Sequence, residues 1–300
     1  MITTLTDNAK AALLIMLGMT LLSSNDAIMK LSSETLGIGQ MLFIRGLIAV
    51  AIFSLVLRIN GKPIIADVVI SKWIVVRALC ECGGTICFIT GLSLLPIATA
   101  STLVWTSPIF LTIAAALILR ERVTPARWWA VLVGFTGVVL VTNPGSADFS
   151  LAMLLPLATA LFICFRDMVT RKIDPSHHSL YVTWTTLVAV TAAGLLISFL
   201  DWRPIAVSQI VWLGASGALM SSAFFFQISA VRRGELSFIA PFAYAGIPVA
   251  VFYGIVVWGE LPGTAAIFGI VLVILAGLYT LSHPTSGSVK KNTANSCIQR

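Results

Sequence analysis

The sequence predicts an all-α membrane protein of ten transmembrane helices, and three observations predict it. First, the 300 residues are 58% hydrophobic and only 10% charged, with a mean hydropathy of +0.99, far from the balance of a soluble domain. Second, the apolar residues gather in ten runs. Each is close to the roughly 20 residues that a helix rising ~1.5 Å per residue needs to cross a hydrocarbon core about 30 Å thick. Third, the cations alternate between successive connections.

Taken in order, the runs lie near 9 to 29, 39 to 58, 71 to 92, 97 to 119 and 126 to 142, then 150 to 170, 179 to 200, 207 to 231, 236 to 258 and 264 to 282. The first is too long for the apolar core of a signal peptide and lacks a small-x-small cleavage site, so it reads as a retained helix. Turn residues punctuate the gaps, as in NGKP (60 to 63), NPGS (143 to 146) and DWRP (201 to 204). Residues 284 to 300, PTSGSVKKNTANSCIQR, are polar and without period, and are expected to form a disordered cytoplasmic tail. With the amino terminus inside, 15 cations fall on cytoplasmic segments against two outside, Lys30 and Arg203, while Arg45 and Arg77 stay within the membrane. That asymmetry predicts both termini cytoplasmic and a bacterial inner-membrane location.

Several functions are excluded at this level. The net charge of +7 comes from cations scattered between apolar runs, not from a basic domain, so nucleic acid is not a partner. Cys80, Cys82, Cys87 and Cys164 lie inside apolar runs and Cys297 in the tail, with no metal-ligand or disulfide spacing. His177, His178 and His283 fall outside the runs or at their ends. No metal site, no cofactor and no catalytic residue is expected. A nucleotide fingerprint is also missing, which argues against ATP-driven transport by this chain alone. A membrane-embedded enzyme would place His pairs or carboxylate clusters at membrane depth, and a channel would show a pore ring or filter segment. These two remain the alternatives to transport.

The chain also repeats itself. WTSPIFLTIAAALILRERVTP (105 to 125) and IPVAVFYGIVVWGELP (247 to 262) each run from a proline to a glutamate, Pro108 to Glu121 and Pro248 to Glu260, with a second proline, Pro125 and Pro262, soon after. Small residues at helical spacing follow both: Ala130, Gly134 and Gly137, then Gly269 and Gly277. Asp26 and Lys30 match Asp167 and Arg171 at one offset. The units are expected at 1 to 145 and 146 to 283. Five crossings per unit is odd, so the second unit is inverted, a construction that recurs in secondary transporters.

The FIR around Arg45, LLPIATASTLVWTSPIF, the LILRERVTPARWW exit and GFTGVVLV resemble the EamA domain. That domain occurs twice in ten-helix members of the drug/metabolite transporter superfamily, and IAPFAYAGIPVAVFYGIVVWGELP fits a second copy. The chain departs from the usual pattern at Arg120 and Ala130, where the family has Gly, positions that look structural. The resemblance implies two inverted-topology five-helix EamA repeats, and within the superfamily the chain is similar to bacterial YddG-type amino-acid exporters. It implies export of small organic metabolites, amino acids (aromatic and other neutral ones) foremost, by alternating access.

The residues themselves suggest where a solute would bind. Ser101, Trp105, Pro108 and Thr112 recur on one helical face, and Ser237, Pro241, Tyr244 and Pro248 repeat the spacing. Each proline frees a carbonyl, which is tolerated where the opened backbone faces protein or a water-filled cavity. These faces are the expected cavity walls, with Trp105 and Tyr244 as flat surfaces for a side chain. Asn25, Trp184 and Gln227 are further candidates to line the path. Asp26, by depth, is the expected partner of Arg45, which lies about 9 Å inside at six residues from its helix end. That pair would hold a zwitterion or pin two helices. Arg77 and Glu81, four residues apart, are expected to pair within one helix, with Glu81 the candidate for a coupling proton. The proton gradient and the solute's own gradient are both open as driving force, and a monomer or weak homo-oligomer is expected.

Overall fold

The computed structural model describes residues 7–61, 71–118, 125–143, 149–170, 172–173, 179–233 and 240–282. Among these residues the chain is helical throughout: α1 (Asp7–Ser33), α2 (Ile38–Ile59), α3 (Lys72–Leu94), α4 (Ile97–Val104), α5 (Ser107–Leu117), α6 (Pro125–Thr142), α7 (Leu154–Thr170), α8 (Ser179–Ser198), α9 (Val207–Arg233), α10 (Gly246–Trp258) and α11 (Thr264–Ser282). A 3₁₀ turn, Leu151–Met153, leads into α7 and a second 3₁₀ segment, Ala240–Ala245, leads into α10. Six stretches are long and apolar enough to cross a membrane: Ala9–Ser33, Ile38–Ile59, Lys72–Leu94, Leu151–Thr170, Leu180–Ser198 and Val207–Gln227. Shorter apolar helices run over Trp128–Thr142, Gly246–Trp258 and Thr264–Ala276.

The single helix expected over 97 to 119 is in fact two. Pro108 has no N–H for the carbonyl of Val104, so α4 stops before it; in the first turn of α5, where that N–H would have no partner in the helix, proline starts a new helix. Trp105 and Thr106 form the joint, and the Thr106 hydroxyl donates to the Leu103 carbonyl at 2.6 Å. The stretch expected to be helical from 236 behaves similarly, being 3₁₀ around Pro241 and α-helical only from Gly246. Residues 236 to 239 lie outside the described residues.

Helix α1 packs on α9, α2 on α8, α3 on α7, α4 on α10 and α6 on α11. At the α6–α11 crossing two backbones touch: a Cβ on Gly137 would sit 2.8 Å from the Gly269 carbonyl oxygen, and one on Gly269 would sit 2.6 Å from that of Gly137. Only glycine permits this approach, as expected for small residues between membrane helices. Large apolar side chains such as Leu55, Leu79, Trp129, Phe252 and Phe268 point outward, whereas Asn25, Arg45, Ser101, Thr102 and Ser216 are buried. An apolar exterior around a polar interior suits a bilayer, where lipid replaces water as the outer solvent. Below, the end of the bundle holding Ser33, Leu94, Ile97 and Trp258 is the upper end, and that holding Ile59, Lys72, Thr170 and Arg233 the lower.

Candidate functional site

A cavity of about 540 Å³ runs through the middle of the bundle. Residues of α1, α2, α3, α7 and α9, the α4–α5 joint and Tyr244 line it. Its lining descends from Asp26 and Arg45 to Arg166 and Asp167 in the last turns of α7, where the Asp167 side chain is 43% exposed. The cavity thus reaches the lower end of the bundle.

The two interrupted helices form its aromatic wall. Trp105 stands at the α4–α5 joint and Tyr244 in the 3₁₀ segment before α10, with ring centroids 5.5 Å apart and planes tilted by 44°. Each break frees its aromatic residue from regular helical register and lets the rings meet. Three buried polar atoms of the lining lack a hydrogen-bond partner among the described residues: Arg45 Nε, Gln227 Nε2 and the Tyr244 hydroxyl. Leaving such a group unsatisfied costs about 1–3 kcal/mol, more when charged.

In the upper half, Asn25 organises a polar cluster. Its Oδ1 accepts from the Ser216 hydroxyl at 2.6 Å and from Arg45 Nη1 at 3.4 Å, and its Nδ2 donates to Asp26 Oδ1 at 3.0 Å. Arg45 and Asp26, expected as partners, therefore form no direct ion pair; Asn25 stands between them. Nearer the lower end, the intrahelical pair expected of Arg77 and Glu81 is loose at 4.0 Å. The closer partner of Glu81 is Arg166 of α7, at 3.1 Å, which also holds Asp167 at 2.9 Å. Arg77 donates instead to Thr170 Oγ1 at 3.1 Å and Thr186 Oγ1 at 2.5 Å, tying α3 to α7 and α8.

One turn above Asp26, a knot of contacts ties the upper end. Lys30, 8% exposed, donates to the Leu95 carbonyl at 2.9 Å and pairs with Glu260. Glu260 Oε2 in turn accepts from the Ile97 amide at 3.1 Å, at the start of α4. Gly259, with φ of +66°, ends α10 in the left-handed conformation that glycine adopts without strain, and this turn brings Glu260 back across the helix end. Lys30 also lies 4.7 Å from the Trp258 ring centroid.

Of the residues singled out from sequence, Ser101, Trp105, Asn25, Asp26, Arg45, Glu81, Gln227 and Tyr244 meet in this cavity. Trp184 does not: its Nε1 donates to Ser54 at 2.9 Å and its ring packs with Ala49, Phe53 and Leu187, making it a helix–helix anchor. Pro248 is exposed on α10 rather than on the cavity wall, because the 3₁₀ segment rotates it away from Tyr244. Arg77 is beside the lining, not in it. The side chains of Pro108, Thr112 and Pro241, and all of Glu121, Arg171, Ser237 and 284 to 300, lie outside the described residues. Two charged residues not among the sequence candidates, Arg166 and Lys30, join ion pairs here from the last turns of α7 and α1; the shared offset of Asp26 and Lys30 with Asp167 and Arg171 is the signal the sequence offers.

The sequence profile of a family described as "EamA-like transporter family" matches residues 9–143. A riboflavin transporter of Vibrio cholerae is 32% identical over 195 residues, which cover 64% of this chain and 65% of that protein's length. A riboflavin transporter of Brucella anthropi is 31% identical over 221 residues, 71% of this chain and 78% of that one. A pseudopaline exporter of Pseudomonas aeruginosa is 26% identical over 253 residues, 84% and 88% respectively. The chain belongs to the EamA-like transporter family, and the three relatives above are transporters of riboflavin or pseudopaline, not the amino-acid exporters expected from the YddG-type resemblance.

Proposed function

We propose that this EamA-like transporter moves a small organic metabolite across the bacterial inner membrane by alternating access, with neutral amino acids, aromatic ones foremost, as cargo and export as direction. The observation that carries the proposal is the cavity itself, reaching the lower end, with unpartnered polar atoms on its lining residues beside an aromatic wall. A solute needs both kinds of surface, apolar area for affinity and a few placed polar groups for orientation.

Alternating access between two inverted five-helix units, and with it ten crossings, is supported by the packing. Exchanging α1 to α6 with α7 to α11 turns the α1–α9 contact into the α7–α3 contact and α2–α9 into α8–α3, and returns α2–α8, α4–α10 and α6–α11 to themselves. A pseudo-two-fold axis in the membrane plane accounts for that exchange, with the site where the halves meet. The cation asymmetry of the connections supports the lower end as cytoplasmic.

Purified protein in proteoliposomes is expected to give saturable uptake and counterflow of labelled tryptophan, phenylalanine or leucine. Linear, unsaturable flux would indicate a channel, and no flux of any amino acid would reject the cargo. Riboflavin is the second reading, favoured by the riboflavin transporters at 31% and 32% identity. The cavity is also within the roughly 300–1,000 Å³ typical of pockets for drug-sized ligands. Riboflavin belongs in the same assay.

A further inference from the structure

We propose that Asp26 and Arg45 form a zwitterion subsite in the upper half of the cavity, Arg45 receiving the carboxylate of the cargo and Asp26 its ammonium group; this rests on the amino-acid reading above. Two opposite charges so close in an apolar bundle ordinarily collapse onto each other, because each ion taken from water carries a penalty of several kcal/mol that a direct pair partly recovers. Here they do not. Asn25 occupies the space between them and satisfies each in part, with Oδ1 toward Arg45 and Nδ2 toward Asp26. Ser216 holds the Asn25 carbonyl oxygen at 2.6 Å and so fixes the spacer.

Asp26 and Arg45 both line the cavity. Arg45 is 4% exposed and its Nε has no partner. Asp26 makes no hydrogen bond other than that from Asn25, and no ion pair within 4 Å, among the described residues. A guanidinium edge with a free donor matches a carboxylate oxygen, and a carboxylate with free lone pairs matches an ammonium. An α-amino acid presents both groups a few bonds apart. A flat side chain anchored there would extend toward Trp105 and Tyr244, which line the same cavity.

The test is a matched set of three ligands titrated calorimetrically into detergent-solubilised protein: L-tryptophan, tryptamine, which lacks the carboxylate, and indole-3-propionate, which lacks the ammonium. The wild type is expected to bind tryptophan at least roughly tenfold more tightly than either analogue, as suits a charge-assisted hydrogen bond lost with each group. In Arg45→Gln the preference for tryptophan over tryptamine should vanish, in Asp26→Asn that over indole-3-propionate, and Arg45→Lys should restore part of the first. Equal binding of all three by the wild type overturns the subsite and leaves amino-acid transport standing. Discrimination that survives in both variants also overturns it. Failure of all three to bind overturns the amino-acid reading and the subsite together.

Discussion

The Asn25 cluster and the Arg166 cluster use similar side chains to opposite ends. Around Arg166 the charges touch: one guanidinium bridges Glu81 and Asp167 at 3.1 and 2.9 Å, with Arg77 at 4.0 Å from Glu81, and the group reaches the open lower end of the cavity. Around Asn25 the charges are kept apart by an amide, and Asn25 is 1% and Arg45 4% exposed. At the sequence offset that aligns Asp26 with Asp167, Asn25 aligns with Arg166. One cluster is a closed ion-pair network, the other two charges held apart by an amide. Charges that satisfy each other fasten helices; charges that do not can be satisfied by cargo.

The contrast can be broken most severely at Arg166. Arg166→Gln leaves two carboxylates without their shared partner, and allowing for partial exposure the fold is expected to lose about 2–3 kcal/mol, read as a lower denaturation midpoint in detergent. Arg45→Gln, by contrast, removes a cation that no carboxylate contacts, so stability should stay within about 1 kcal/mol while ligand discrimination goes. Equal destabilisation by the two variants would erase the distinction drawn between the clusters.

Next in size is Lys30→Met, which removes the ion pair and the Leu95 contact from the upper knot. A cysteine introduced as Ser101→Cys on the cavity wall should then react with an impermeant thiol reagent from the upper side at least several-fold faster than without the Lys30 change. Unchanged reactivity would mean that the knot does not seal the cavity. Asn25→Ala sharpens the comparison further: with the spacer gone Arg45 and Asp26 can pair directly, so thermal stability should hold or rise while tryptophan affinity falls roughly tenfold, about 1.4 kcal/mol.

The smallest effect is expected at Tyr244. Its hydroxyl has no partner among the described residues, so Tyr244→Phe should leave stability unaltered and weaken binding by about 0.5–1.5 kcal/mol, provided the cargo bonds to it. An unchanged affinity would remove that hydroxyl from the site.

Much of the architecture could be read before any coordinates. Each run of about 20 apolar residues carries its own signal, since transfer into lipid sums over a local segment, whereas the breaks beside Pro108 and Pro241 interrupt stretches expected as single helices. The site was legible only in outline: Trp105, Tyr244, Asn25, Asp26 and Arg45 stood out as polar or aromatic groups at membrane depth. Trp184 stood out equally and faces Ser54 instead.

What the sequence alone determined is therefore the class of the molecule and its family, because hydropathy and local motifs are properties of the chain read along its length. Tertiary structure decided which charges meet. That Lys30 reaches Glu260, that Arg166 displaces Arg77 as the close partner of Glu81, and that Asn25 separates Arg45 from Asp26 all depend on how helices distant in sequence are rotated against one another. An ångström or two separates an ion pair from two free ions, and spacing along a single helix does not resolve that difference.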